Sequence, residues 1–200
     1  MKAINNWDKV QAIGDFPKLP KGGYAVEIKD ARVRTGTRRD GGTYEQLEIA
    51  LDIIEGEYKG HYQMDFKAQR REDKKWRGVL RLFVPSGDGS DQDNLTAGIL
   101  KASIEAVEDS NPGYHWDWDE KKLKGKKTGC IFRMEEWAKD GRSGWKAQPF
   151  KFIDIEKIRS GEFKVPDDKP LKVDAKRNAA PKSNLDVDFE DLEDESDLPF

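Results

Sequence analysis

Cysteine is nearly missing from this chain. Cys130 stands alone, so no internal disulfide can form and a cysteine-rich metal site is excluded. Histidine is scarce too: His61 and His115 are the only two, and neither sits in a metal-binding or nucleophile motif. No apolar run approaches the ~18 residues that suggest a membrane-spanning helix. Residues 1–8 lack the apolar core of a secretory signal, so a cytosolic protein is expected. Also absent are His-Glu-x-x-His, Gly-x-Ser-x-Gly and a phosphate-cradling glycine loop followed by Lys-Ser/Thr. Gly36, Gly41 and Gly42 suit a hairpin, because strands rather than a helix follow them. Carboxylate pairs such as Asp117/Asp119 and Glu135/Glu136 arise by chance among 39 acidic residues. No catalytic residue, metal or cofactor is expected, and the chain reads as a non-enzyme.

Charge, by contrast, is abundant. Charged residues make up 38% of the chain, against about 25% in typical globular chains, so part of it is expected to be solvated rather than packed. The net charge of −3 hides an asymmetry. Residues 183–200 hold eight carboxylates and no Lys or Arg. Residues 1–182 then carry 36 basic against the remaining 31 acidic residues, a charge of +5. A basic body with an acidic tip suits a polyanion binder with an interaction tail.

Hydrophobic periodicity points to a mainly β chain. Residues 1–21, with Trp7, Phe16, Pro17 and Pro20, read as an arm anchored at a few points. Tyr24, Val26 and Ile28 alternate with polar partners, and the phase changes near Asp30, where a β-bulge is expected. After a glycine-rich hairpin, Leu47, Ile49, Leu51 and Ile53 point one way, and Tyr44, Gln46, Glu48 and Asp52 the other. Tyr62, Met64 and Phe66 suggest a third strand, and 76–83 a short helix with Val79, Leu80 and Phe83 inward. Asn94 is the expected cap of a helix over 95–109, with Ile99, Ala102, Ala106 and Val107 buried. Strands are expected over 126–137 and 145–155, the last interrupted by Pro149. Three strands, a helix and two strands is the order of an OB-fold five-stranded β-barrel, with its helix between strands 3 and 4. The expected boundaries are an arm at 1–21, the barrel at 22–160 with an insertion at 67–94, a flexible linker at 161–182 and a disordered acidic tail at 183–200.

Binding a single nucleic-acid strand takes cations along the phosphates and aromatic faces against the bases. Arg32, Arg34, Arg38 and Arg39 lie on the first strand and its hairpin, and Lys67, Arg70, Arg71, Lys74, Lys75 and Arg77 surround Trp76. Lys139, Arg142 and Lys146 frame the last hairpin beside Trp145. From these, Arg38, Arg39, Arg70, Arg71, Lys74, Lys75 and Arg142 are the expected phosphate contacts, and Tyr44, Trp76 and Trp145 the expected stacking platforms. A Lys/Arg run is as often only a solvated face. Trp137 and Phe152 fit a core better, and packing is the favoured reading for Trp116 and Trp118.

The chain ends Asp194-Glu195-Ser196-Asp197-Leu198-Pro199-Phe200. An acidic run alone means solubility, but here an apolar terminus follows it. A terminal Phe carrying its carboxylate can fill a hydrophobic pocket while a basic residue takes the charge, and the preceding acids lengthen the electrostatic reach. Asp-Leu-Pro-Phe at the end resembles the acidic tip of bacterial single-stranded-DNA-binding proteins. That resemblance implies recruitment of a helicase, primase, polymerase or nuclease through Asp194, Glu195, Asp197, Leu198, Pro199 and Phe200. The body is similar to a phage and mobile-element family of single-stranded-DNA-binding proteins, notably from Lys21-Gly22-Gly23-Tyr24 through Gly56-Glu57-Tyr58-Lys59-Gly60. It implies a role in DNA replication, recombination or repair inside a bacterial host, with no membrane partner. A homo-oligomer is compatible with the sequence. The alternatives are an adaptor whose barrel binds protein or RNA, and a metal-dependent nuclease for which the sequence offers no preferred carboxylate.

Overall fold

The computed structural model describes residues 17–38, 41–139 and 142–171. The core of the 1–21 arm, Arg39 and the whole 183–200 tail, including Asp194, Glu195, Asp197, Leu198, Pro199 and Phe200, lie outside the described residues.

Five strands form one antiparallel sheet: β1 (Gly22–Thr37), β2 (Thr43–Ile53), β3 (Val79–Val84), β4 (Lys127–Lys139) and β5 (Arg142–Ile153), in the order β3-β2-β1-β4-β5. Helix α1 (His61–Ala68) lies between β2 and β3, α2 (Asp91–Asp109) between β3 and β4, and α3 (Ile155–Ser160) after β5. The chain is thus mainly β, with a helix between the third and fourth strands, as its periodicity suggests. The long strand β1 serves two partners, β4 along its first half and β2 along most of its length. Its register with β2 shifts between Ile28 and Asp30, where the apolar phase of the sequence changes. The β1–β2 hairpin closes through Gly41 N–H to Arg38 O at 3.0 Å, with Gly41 at a φ of 85° that favours glycine.

Two elements differ from the periodicity reading, and they exchange places. Residues 61–68 are helical, not a strand, because Asp52 on β2 accepts the N–H groups of Tyr62 and Gln63 at 2.9 and 3.3 Å. It satisfies donors at a helix start that Gly60 has no side chain to cap. Residues 79–84 are the third strand, not a helix; Leu80 and Leu82 pair with Ile49 and Leu47. The segment between β2 and β3 is therefore α1 with its following loop, so 67–94 is not one insertion. Helix α2 starts four residues before the expected point, capped by Ser90, whose Oγ accepts Asp93 N–H at 3.1 Å. Its buried stripe is Leu100, Ser103, Ile104, Ala106 and Val107, which leaves Ile99 exposed.

The core gathers Val26, Ile28, Leu47, Ile49, Leu51, Leu80, Val107, Leu123 and Phe132. Burial of this kind is worth about 25 cal/mol per Å² of apolar surface. Helix α2 packs across β3 and β5, the two outer strands, which come close to each other without a ladder between them. On the opposite side of the β1–β4 pair, a Cβ at Gly23 would lie 2.6 Å from Ile158 and Phe163, so glycine there lets α3 and the chain after it close onto the sheet. The chain stays docked well past the expected linker boundary: Lys169 N–H donates to Met134 O at 2.8 Å, and Glu136 N–H to Lys169 O at 2.9 Å. Residues up to 171 thus cover the edge of β4. No described helix is long and apolar enough to cross a membrane.

Candidate nucleic-acid interface

Register decides which side chains share a face. In an antiparallel pair, directly opposed residues point the same way. Ala31 and Val33 oppose Ile49 and Leu47, which oppose Leu80 and Leu82; this is the core side. The other side presents Arg32 opposite Glu48 opposite Arg81, Arg34 opposite Gln46 opposite Phe83, and Gly36 opposite Tyr44.

Glu48 is the centre of this outward face. It is 0% exposed, and three guanidinium groups converge on its carboxylate: Arg32 at 2.9 Å, Arg81 at 3.2 Å and Arg34 at 3.9 Å. One buried negative charge is held by three partly exposed positive ones, which stiffens the arginines in place. Tyr44 and Phe83 sit beside them, half-buried, with ring centroids 5.4 Å apart. A Cβ at Gly36 would run into the Tyr44 ring, so glycine lets that ring lie across the neighbouring strand. The face therefore offers fixed cations and two aromatic surfaces on one rigid support.

Trp76 is placed differently from the expectation. It is 7% exposed, its indole N–H donates to Leu51 O at 3.0 Å, and its ring packs 5.8 Å from Phe66. Charged neighbours in the sequence suggested an exposed platform; the loop folds so that the one apolar ring goes inward and the charges stay out. Trp76 is a core residue. Two of the guanidinium groups around it are held in ion pairs. Arg71 pairs with Asp73, holding that carboxyl down to about 2, and Arg77 pairs with Asp65 at 2.8 Å. Lys74 lies 5.8 Å over the Phe66 ring, and the backbone N–H of Lys75, not its ammonium, donates to Gln69 Oε1 at 2.9 Å. Arg70 is exposed.

Arg38 is exposed at the β1–β2 turn. Trp145, opposite Glu136 on the β4–β5 hairpin, is 43% exposed. Arg142 pairs through its backbone with Lys139 at the tip of that hairpin, and its side chain lies outside the described residues. Among the described residues, Tyr44 is the expected contact that the strand register places on the arginine face. Phe83, expected inward, is on that face as well, and Arg81 and Glu48 complete it. The missed signal was the cross-strand register, which links residues 16 and 33 positions apart.

The buried Cys130 thiol is pushed up by desolvation and stays protonated. Among the described residues no group of three His, Cys, Asp or Glu side chains is arranged to hold a metal ion. Compared with family models, the chain matches none, and no curated protein is similar enough to count as a relative.

Proposed function

We propose that this chain binds single-stranded DNA, with little sequence preference, across the outward face of β1, β2 and β3. The observation that carries the reading is the make-up of that face: Arg32, Arg34 and Arg81 fixed around Glu48, beside the Tyr44 and Phe83 rings. Arginines hold phosphates, and each base stacked on a ring adds about 1–3 kcal/mol without regard to sequence. The strand order and the nearness of β3 to β5 support an OB-type barrel, whose binding face is this one. The β4–β5 hairpin, with Trp145 and Arg142, would form a second wall. The protein acts without catalysis, shielding the strand in the cytoplasm of a bacterial host during replication, recombination or repair. The acidic tip recruits replication or recombination proteins through Leu198 and Phe200, as its resemblance to the bacterial tips implies.

The test is a titration of a fluorescein-labelled oligo-dT and the matching duplex, at low and moderate salt, with the full chain and with residues 183–200 removed. Preference for the single strand, lost steeply as salt rises and strengthened by tail removal, is the expected result. Equal affinity for both forms would sink the reading and leave the protein-binding adaptor.

A further inference from the structure

Trp118 is the most exposed large apolar side chain among the described residues, at 76%, and the only non-glycine with a positive φ, 67°. A bulky residue in the left-handed region carries a backbone penalty, and it persists only where its surroundings over-determine it. Here they do. Glu108 accepts Trp116 N–H at 2.7 Å, Lys122 pairs with Asp117, and Asp119 accepts Lys121 N–H at 3.1 Å. Leu123, fully buried, anchors the far end, where Ile28 N–H donates to Lys126 O at 2.8 Å. This loop between α2 and β4 thus holds an indole out in water at a conformational cost and gains little packing in return. Trp116 lies alongside, with centroids 6.1 Å apart.

The surroundings are basic. Five lysines, Lys121, Lys122, Lys124, Lys126 and Lys127, fall within seven positions, against Asp117, Asp119 and Glu120. Asp117 is taken by Lys122 and Asp119 by the backbone turn, while Lys121 and Lys124 are exposed. Lys126 sits 4.5 Å over the Tyr114 ring. An apolar peptide side chain needs a concave pocket, whereas Trp118 stands proud and offers a flat face. Flat π-surfaces among cations suit a nucleobase between phosphates.

We infer that the α2–β4 loop is a second single-strand contact, in which Trp118 stacks on a base and Lys121 and Lys124 hold the flanking phosphates. This rests on the single-strand reading above and extends it: the loop joins the sheet at Ile28, beyond the bulge from Arg32 and Arg34, so a strand must outrun the arginine face to reach it.

The full chain and its Trp118→Ala, Trp118→Phe and Trp118→Gly variants are titrated with oligo-dT of about 8 and about 30 nucleotides, one within and one beyond the usual site sizes. Trp118→Gly keeps the fold safe, since glycine suits a φ of 67°. The expected result is unchanged affinity for the short strand, an about tenfold loss on the long one for Ala and Gly, and substantial recovery with Phe. Equal affinities of wild type and variants for both lengths overturn the second contact and leave the arginine face standing. No binding of either length by the wild type overturns the single-strand reading and this contact with it. A peptide of residues 184–200 that binds in a Trp118-dependent way, with DNA affinity unaffected by the variants, gives the platform to the acidic tail and overturns the inference.

Discussion

Two basic regions of this molecule look alike in composition and differ in construction. The loop around Trp76 collects its cations from one short stretch of the chain, pairs two of them with Asp73 and Asp65, and buries its ring. The sheet face collects Arg32, Arg34 and Arg81 from two different strands, organises them on a buried Glu48 of a third, and leaves two rings accessible. Exposed pairs on a surface loop gain little, because water and salt screen them and side-chain entropy opposes them. Charges fixed on strands keep their geometry for a ligand. A dense run of lysines and arginines is therefore a weaker sign of a site than a few arginines with a shared buried anchor.

The largest effect expected from this contrast is on binding. Tyr44→Ala should weaken oligo-dT affinity about tenfold or more, the loss of one stacked base. Trp76→Phe should leave that affinity intact and instead lower stability by about 1 kcal/mol, the worth of its hydrogen bond to Leu51. Fluorescence titration and urea denaturation of both variants would separate the roles, and the reverse pattern would break the comparison.

Stability should divide the two regions in the same way. Glu48→Gln should cost about 2 kcal/mol, since it removes charge-assisted hydrogen bonds at a buried site. Asp73→Asn should leave the denaturation midpoint where it is, because its partner is exposed.

Salt dependence offers a finer distinction. Arg34→Gln should lower the slope of log affinity against log salt by about 0.7, one phosphate contact on a single strand. Neutralising Arg70, Arg71, Lys74 and Lys75 together should cost several-fold at low salt, with the deficit fading as the Debye length shrinks toward about 8 Å. A steeper loss for the loop than for the face would move the site back to the loop.

The smallest effect expected is in pH. Burial lowers the pKa of His61 below its ordinary 6.5, so the folded protein takes up its proton less readily than the unfolded chain. Stability should then be full above about 6.5 and fall as pH drops through that value, since the unfolded state binds more protons. His61→Gln should flatten this part of the stability curve, which equilibrium denaturation at several pH values would show.

Alternation placed β1, its bulge at Ile28/Asp30 and β2, while β4 and β5 were legible as strands within approximate limits but without a clear inward face for β4. In β1 and β2 the run is long and regular enough for a period of two to stand out. The shorter elements escaped it. In 61–68 the apolar residues Tyr62, Met64 and Phe66 alternate, yet Asp52, ten positions earlier, supplies the helix start from another strand. In 79–84 pairing with β2 overrides a helix-like pattern.

The sequence by itself determined the mainly β class, the missing disulfide framework, the charge asymmetry and the individual presence of Arg32, Arg34, Tyr44 and Glu48, because composition and local periodicity are properties of neighbours along the chain. Only the tertiary structure decided that Trp76 goes inward, that Trp118 stands out in water, and that three arginines meet on one carboxylate. Those outcomes depend on strand register and loop closure, which join residues far apart in the chain and leave no mark in any short window of it.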